Sequence, residues 1–171
     1  MGLAADLGYE IARANGFQRA VAWLFSTKVG SWAGQWLVPV FDRMLDKLSG
    51  CRFAASDILA ALPPLWLTTT GARSGQPRRH ALYGIPIDGD LAVIGSNFGQ
   101  ENNPAWVHNL LASSDAYVSY HERSVGVSAR LATTVEQAEV WSAASRIYVG
   151  YAKYRKRAAH RDFKVFVLEP R

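Results

Sequence analysis

The sequence predicts an α+β protein with a mainly β core, in which an antiparallel barrel follows N-terminal helices and one long helix precedes the last strand. The chain has 171 residues, 49% of them hydrophobic, so it can bury the core of one globular domain. Short apolar runs follow one another with turn residues between them, and strands do not alternate regularly with helices. These consecutive hairpins favour an antiparallel barrel over a doubly wound parallel sheet.

The N-terminal third shows helical spacing of apolar residues. Residues 1–15 are weakly patterned, and we interpret them as a loose arm. A helical repeat begins at Phe17, and a clear amphipathic repeat runs from Phe41 to Leu48 before Ser49-Gly50 stops it. A further helix from Ala54 would end at Leu62, because two prolines follow.

Two uses of these helices stay open. Amphipathic helices most often form a layer packed on the core. A membrane-facing or substrate-covering role is the alternative, because tryptophans beside cations suit a lipid interface. The stretch Val29–Phe41 is shorter than the roughly 20 apolar residues of a membrane span, so we expect none. The aromatic and cationic residues concerned are Trp23, Trp32, Trp36, Lys28, Arg43 and Lys47.

Beyond residue 62 the pattern changes from helical to β. We therefore divide the chain into a helical extension packed on the barrel, residues 1–62, and a barrel domain, residues 63–171. Bulky and β-branched runs predict strands, and Asp88-Gly89-Asp90 predicts a tight hairpin turn. The first three predicted strands are Leu65–Thr70, His80–Ile87 and Leu91–Gly95.

Capping and turn signals predict the rest of the barrel domain. Asn103 caps a short helix that has Pro104 in its first position and ends near Ala112. Thr133 and Glu136 form a capping box that begins the long helix. The remaining predicted elements are a hairpin over Ala116–His121 and Ser124–Ala132, the extension of the long helix to Arg157, and a closing strand over Phe163–Leu168.

Composition and motifs exclude several classes of chemistry. The formal net charge of +5 favours an anionic partner without choosing among nucleic acid, membrane and small ligand. A single cysteine allows no intrachain disulfide and no cysteine zinc cluster. The four histidines form no helical metal-binding pair, so we predict no metal, and no nucleophile elbow or Walker loop is present. The remaining possibility is that the residues bind and position a ligand or cofactor.

Two loops have the composition of a site for an anionic, partly aromatic ligand. The first, Leu67–Arg78, places Arg73 and Arg78 in a glycine-bearing run, and arginine forks with exposed amides bind phosphate. The second, Ser96–Trp106, ends at a helix start, which is a second anion-binding position. The same arginines could equally form a solvated loop edge.

Three tyrosines are spaced by three residues on the predicted long helix. Tyr148, Tyr151 and Tyr154 would fan over roughly 120° of its surface. They could line a pocket, stack on an aromatic substrate and donate protons, or they could serve as core packing.

These linked motifs resemble one known family. They are Leu-Thr-Thr-Thr-Gly-Ala-Arg-Ser-Gly-Gln-Pro-Arg, then Tyr83, then Ser-Asn-Phe-Gly-Gln, then Asn-Pro-Ala-Trp-Val-His-Asn-Leu. In this order they resemble the deazaflavin-dependent nitroreductases, the coenzyme F420H2-dependent nitro- and quinone reductases of actinobacterial type. The likeness covers about residues 63–170, and the preceding helices resemble the family's N-terminal extension.

The resemblance implies a fold and a reaction. The fold is a split β-barrel of the FMN-binding-like type, and the cofactor is coenzyme F420, held by its phosphate and oligoglutamate tail. The reaction is hydride transfer from F420H2 to a quinone, a nitroaromatic or another conjugated electrophilic acceptor. A cofactor that carries the difficult chemistry accounts for the lack of a nucleophile or metal motif.

The family's functional positions carry over residue by residue. Family members often have a basic residue where this chain has Ala72, so that side of the anion site is weaker. The acceptor pocket, which would orient the acceptor and deliver a proton, is expected at Tyr83, Ser96, Tyr148, Tyr151 and Tyr154. The cofactor groove is expected at Arg73, Ser74, Gln76, Pro77, Arg78, Ser96, Asn97, Phe98, Gly99, Gln100, Pro104, Ala105, Trp106 and Asn109.

Two other classes of protein stay open. An FMN-dependent split-barrel oxidoreductase would share the fold and the anion site. A non-catalytic basic protein of the membrane surface would use the tryptophans and the basic run Lys153–Arg161. For the favoured reductase we expect a small-molecule acceptor, no nucleic acid because no recognised motif is present, and a monomer or homodimer. We place it in the cytoplasm, with peripheral contact at the inner face of the membrane left open.

Overall fold

The computed structural model describes residues 2–11, 14–48 and 62–171, and its centre is a seven-stranded antiparallel sheet. The strand order is β2-β1-β5-β6-β7-β4-β3, so strands consecutive in sequence, β2 and β3, form its two edges. One residue separates them, so the sheet curls into a half-barrel, and the predicted antiparallel barrel is confirmed. The strands are β1 (Pro64–Thr70), β2 (Pro77–Tyr83), β3 (Ile85–Ile87), β4 (Asp90–Ile94), β5 (Asp115–Tyr120), β6 (Arg123–Leu131) and β7 (Val165–Pro170).

Gly84 separates β2 from β3, so the prediction of one strand over His80–Ile87 is wrong. A Cβ at Gly84 would lie 2.5 Å from Cδ1 of Leu65. Only glycine therefore leaves room for the Leu65 side chain where the backbone passes from β2 to β3. The Tyr9 hydroxyl accepts from Gly84 N at 3.2 Å and donates to Pro63 O at 2.9 Å. The peptide groups released from the strand ladder are thereby satisfied.

The first residues are anchored, and the prediction of a loose arm over residues 1–15 is wrong. Helix α1 (Leu3–Leu7) buries Leu3 and Leu7 in the core, where their spacing of four puts both on one face. Tyr9 is also buried and meets the Tyr120 ring edge-on at 5.0 Å.

Helices α2 (Gly16–Ser26) and α3 (Lys28–Leu48) follow. A reciprocal cap between Asn15 and Gln18 starts α2, and α3 is one helix, including the 29–39 segment for which no element was predicted. The predicted stop at Ser49-Gly50 and most of the predicted helix from Ala54 lie outside the described residues.

Much of the apolar surface of these two helices faces solvent. On α3 the exposed apolar residues span roughly half of the circumference at 100° per residue, so a layer fully packed on the core is not what forms. Within the described ranges, no helix is long and apolar enough to cross a bilayer. We call the following set the apolar face: Trp23, Leu24, Val29, Trp32, Trp36, Leu37, Val40, Phe41, Met44 and Leu48.

The single long helix predicted before the last strand is two helices, α5 (Thr134–Ile147) and α6 (Gly150–Arg157). Tyr148 interrupts them with extended backbone, φ −142° and ψ 118°. Its ring occupies the space beside Gly150, where a Cβ would lie 2.2 Å from Tyr148 Cε1. The predicted capping box is present, because Glu136 N donates to Thr133 Oγ1 at 3.3 Å and Thr133 N donates to Glu136 Oε2 at 2.7 Å.

Helix α4 (Ala105–Ala112) begins one residue later than predicted. Pro104, not Asn103, occupies the N-cap position, and no side chain caps the helix. Asn103 Oδ1 is buried and has no hydrogen-bond partner within the described residues.

Buried side chains form two clusters. The first contains Leu3 and Leu7 of α1 and Trp106 and Leu110 of α4. The second lies under α5 and α6 and contains Trp141 and the three tyrosines of the predicted pocket. A loop that contacts both clusters can therefore connect the predicted cofactor residues with the predicted tyrosines of the acceptor pocket.

Candidate functional site

The turn between β1 and β2 forms the basic loop, Gly71–Arg78. Its backbone closes on itself, with Gly71 N donating to Gln76 O at 2.9 Å and Gly75 N to Gly71 O at 2.8 Å. A Cβ at Gly71 would lie 2.6 Å from Ser74 Oγ, and Gly75 has φ 65°, so both positions require glycine. The loop is a compact turn that leaves the side chains after Gly71 exposed.

Two of its arginines are available to an anion. Arg73 and Arg78 are exposed, and neither forms an ion pair with any carboxylate in the part of the chain that is described. Arg78 Nη2 donates to Ser74 Oγ at 3.3 Å, which holds the guanidinium over the loop. Arg79 instead stacks on the buried Trp66 ring at 4.1 Å.

The segment after β4 forms the left-handed loop, Gly95–Asn102. Ser96 is right-handed, and Asn97, Phe98 and Gly99 follow with φ of 44°, 54° and 74°. A right-handed residue followed by a left-handed one turns successive N–H groups into a concave anion-binding nest. Two non-glycine residues in this region cost on the order of 1–3 kcal/mol each, so the surrounding structure must hold them.

Asn109 joins the two predicted loops. From α4, its Oδ1 accepts from Ala72 N at 3.0 Å and its Nδ2 donates to Thr69 Oγ1 at 2.9 Å. The left-handed loop leads directly into α4, so Asn109 ties the basic loop to the helix that follows the left-handed loop. Asn109 is buried and its carboxamide is committed to these two bonds.

The three predicted pocket tyrosines meet in one buried cluster although the chain breaks between them. Their ring centroids lie 5.9–6.3 Å apart with edge-on geometry, and the Tyr148 and Tyr154 hydroxyls are 3.1 Å apart. Tyr83 packs against the same cluster. Burial raises the pKa of the Tyr148 phenol, with the neighbouring Tyr154 adding to the shift, and burial also raises the pKa of Tyr151. These phenols are therefore neutral hydrogen-bond donors at physiological pH.

The left-handed loop also contacts the tyrosine cluster. The Phe98 and Tyr154 rings lie 6.3 Å apart edge-on, and a Cβ at Gly99 would lie 3.2 Å from Tyr154 Cα. The basic loop is thus bonded to α4 through Asn109, the left-handed loop leads into α4, and Gly99 and Phe98 of that loop contact the tyrosine cluster.

Most of the predicted cofactor residues have exposed or half-buried side chains on the two loops, and two do not. Trp106 is 3% exposed and packs on Phe166 with ring centroids 5.9 Å apart, so its ring belongs to the core. Asn109 is buried behind the loops. The others are exposed or half-buried on the two loops and on the turn into α4: Arg73, Ser74, Gln76, Pro77, Arg78, Ser96, Asn97, Phe98, Gly99, Gln100, Pro104 and Ala105.

Sequence reasoning missed three cations that point inward. The run Lys153–Arg161 looks like a solvated basic patch, yet Arg161 donates to carbonyls of the left-handed loop. Arg157 donates to Phe98 O at 3.3 Å and to Ser26 O at 3.2 Å, and Lys153 donates to Ser26 Oγ at 2.7 Å. For Lys153 and Arg157 the signal available was their spacing of four, which puts two cations on one helical face; Arg161 lies beyond the helix and had no such signal.

Comparisons with known proteins found a matching family model, curated relatives and similar solved structures. The family model described as F420H(2)-dependent quinone reductase matches residues 44–170. An F420H(2)-dependent quinone reductase of Mycobacterium tuberculosis is 38% identical over 74 residues, which are 43% of this chain and 49% of that protein. The chain therefore spans about half the length of this curated relative.

Two solved structures are similar as well. A structure titled as an F420-H2 dependent reductase (FDR-A) is 30% identical, with a TM-score of 0.57, covering 63% of this chain and 94% of that one. A second, described as a domain-swapped dimer, is also 30% identical, with a TM-score of 0.58 over 63% of this chain and 80% of that one. The predicted resemblance is confirmed, and with it reduced F420 as the cofactor for which the family is named: the chain belongs to the F420H(2)-dependent quinone reductase family.

Proposed function

We propose that this protein is an F420H2-dependent oxidoreductase that passes a hydride to a quinone, a nitroaromatic or another conjugated electrophile. The observation that carries the proposal is the connection of the basic loop, the left-handed loop and the tyrosine cluster through Asn109, α4 and Gly99. A cofactor with an acidic tail and an aromatic ring system needs a cationic site for the tail and a second site for the rings. The connected loops and the tyrosine cluster supply both.

The donor set fits such a cofactor. Arg73 and Arg78 provide exposed guanidinium groups, and Ser74 adds a hydroxyl beside Arg78. In the nest that begins at Ser96, the Ser96 N–H is bonded to Ile94 O at 2.7 Å, and the N–H groups of Asn97 and Phe98 are the ones offered to a second anionic or carbonyl oxygen. Ala72 offers no side-chain donor, but its N–H is used by Asn109 to fix the loop.

Reduced F420 supplies the hydride when it is bound, and the protein supplies position and hydrogen bonds. A quinone that accepts a hydride needs one proton to become a hydroquinone. Tyr148 keeps its proton because burial raises its pKa, so its Oη, 3.1 Å from Oη of Tyr154, would donate a hydrogen bond to the acceptor oxygen and stabilise the hydroquinone anion that hydride transfer leaves; this anion then takes its proton from solvent on release. The surrounding aromatic rings exclude water from this position.

The direct test compares cofactors. Purified protein should quench F420 fluorescence on titration, bind F420 more tightly than FMN, and oxidise F420H2 in the presence of menadione. Tighter binding of FMN and purification with yellow flavin would instead establish the FMN-dependent alternative. Failure to bind either cofactor would overturn the reductase proposal.

Arg78→Ala should weaken F420 binding by about 10–100-fold, since a charge-assisted phosphate or carboxylate contact contributes about 1.5–3 kcal/mol. The fold should persist, because the side chain is exposed. Arg146→Ala is the matched control: Arg146 is also exposed and donates to the hydroxyl of a serine four residues away, at 2.8 Å, on a different element. Equal F420 affinity of the two variants would remove Arg78 from the site.

We further propose that the apolar face rests on a membrane surface at the cytoplasmic side, where lipophilic quinones dissolve. Its three tryptophans are 57–68% exposed, and the chain carries a net charge of +5, which attracts anionic lipid. Lys153 holds the Trp23 ring at 5.1 Å beside this face.

Replacing Trp32 and Trp36 together by serine should reduce co-sedimentation with phosphatidylglycerol vesicles at least tenfold without lowering the melting temperature, because both rings are exposed in the free protein. Leu111→Ser, at an exposed position on α4, is the control and should bind vesicles like the parent protein. A change from dimer to monomer in the double variant, with vesicle binding unchanged, would assign the face to a second copy of the chain instead.

A further inference from the structure

Arg161 gathers the carbonyl groups of the left-handed loop around one guanidinium. It lies in the turn after α6, and its Nη1 donates to Gln100 O at 2.5 Å, Asn102 O at 3.1 Å and Ser96 O at 3.4 Å. Its Nη2 donates to Gly95 O. The four acceptors span the loop from its first residue to its last, so one side chain fixes both ends.

The loop needs such a support. Its own backbone bonds are short-range, from Gly99 N to Ser96 O and from Gln100 N to Asn97 O. Neither bond compensates for the left-handed conformation of Asn97 and Phe98, which a free chain populates rarely. Carbonyl groups that converge on one point repel one another unless a cation lies between them, and a planar guanidinium with several donors matches such an arrangement.

The Arg161 side chain is itself held in place. Its guanidinium carbon lies 4.2 Å from the centre of the Phe163 ring, and the side chain is half-buried. Gly95 N donates to Lys164 O at 2.9 Å, which fixes the start of the loop to the same turn. The turn that carries Arg161 and the loop that it holds therefore form one unit.

We propose that Arg161 is a positioning residue for the cofactor: it holds the left-handed loop in the shape that presents the N–H groups of Asn97 and Phe98, without touching the cofactor. The inference rests on the proposed function, since it assigns the loop to F420. Arg157 complements it by donating to Phe98 O of the loop and to Ser26 O of α2.

Substitutions at Arg161 and Lys156 separate the positioning of the left-handed loop from the effect of positive charge on F420 binding. Arg161→Lys keeps the positive charge that attracts an anionic ligand, but an ammonium cannot span four carbonyls as a guanidinium does. We expect this variant to bind F420 at least tenfold more weakly in a fluorescence titration. Lys156→Ala, which removes an exposed cation from α6, the helix before the turn that carries Arg161, should bind F420 within about twofold of the parent, because exposed charges interact weakly through water.

Amide hydrogen exchange gives a readout that does not involve the cofactor. Without F420, amides of residues 96–102 should exchange at least tenfold faster in Arg161→Lys and Arg161→Ala, while those of β5 and β6 stay unchanged. Methylguanidinium added to Arg161→Ala should restore part of the F420 affinity, and it should have no effect on Lys156→Ala.

The outcomes separate this inference from the proposed function. If the parent protein binds F420 and Arg161→Lys binds it equally well with unchanged loop exchange, the positioning role is wrong and the function stands. An equal loss of affinity in Lys156→Ala would assign the effect to charge and also overturn the role. If the parent protein does not bind F420, both proposals fail together.

Discussion

Gly150→Ala should lower kcat/KM for a quinone at least tenfold while leaving the Kd for F420 within a factor of two. A Cβ at this position would lie 2.2 Å from Cε1 and 2.4 Å from Cζ of Tyr148. The ring must therefore turn away, which separates its hydroxyl from that of Tyr154, now 3.1 Å distant. Gly150 lies outside both cofactor loops, so turnover and cofactor binding should respond differently.

The effect on stability should be smaller than the effect on turnover. Overpacking a buried site costs about 1–3 kcal/mol, and the helix propensity of alanine over glycine returns up to about 1 kcal/mol. Gly16→Ala is the matched control, because Gly16 is also the first residue of a helix and has open space around its Cα. Equal turnover of both variants would show that the tyrosine cluster has no part in acceptor reduction.

Asn109→Leu should lower the free energy of unfolding by about 2–4 kcal/mol and weaken F420 binding at least tenfold. Leucine has a similar volume, but it leaves Ala72 N and Thr69 Oγ1 without the partners that Asn109 provides at 3.0 and 2.9 Å. An unsatisfied buried donor or acceptor costs about 1–3 kcal/mol. The basic loop, which carries Arg73 and Arg78, would then lose its tie to α4.

Asn109→Asp provides the control for this change. A carboxylate keeps the acceptor for Ala72 N and can accept from the Thr69 hydroxyl, so F420 binding should recover relative to leucine. Urea denaturation measures the stability, and fluorescence titration measures the affinity. Full F420 affinity in Asn109→Leu, with lowered stability, would make Asn109 a purely structural residue.

Local signals predicted the elements whose causes are local. The turn at Asp88-Gly89 requires left-handed backbone at both residues, and the structure has φ of 46° and 89° there. The capping box at Thr133 and Glu136 needs only neighbours three residues apart. The antiparallel arrangement followed from the order of such signals along the chain.

The wrong predictions concern residues and elements whose structure depends on tertiary contacts. Nothing near Gly84 in the sequence indicates that Leu65 and Tyr9 will fill the space of a side chain there. The break at Tyr148 depends likewise on its ring folding over Gly150, and the burial of α1 depends on a sheet that forms much later in the chain. Trp106 looks like a stacking residue in sequence, yet its partner Phe166 is 60 positions away (166 − 106).

Residues of the candidate site were likewise predicted where the signal is local and missed where their role depends on tertiary contacts. Arg73, Arg78 and the glycines of the basic loop were visible in sequence because exposed anion-binding loops have a recognisable composition. Arg161 was not visible, since its function depends on four main-chain carbonyls, and carbonyls carry no sequence signature.

The position of β7 bears on how the protein folds during synthesis. The last strand lies between β6 and β4 and is the only link between the two halves of the sheet within the described residues. β4 can pair with β3 as soon as both are made, but Leu91 pairs with Leu168, so β4 finds its second hydrogen-bonding partner only after the chain has been synthesised through β7. We expect folding to be slow for a protein of this size, because pairings between distant residues require closure of long loops. The nascent chain carries a half-formed sheet and an uncovered apolar face for most of its synthesis, so it is a natural client for chaperones.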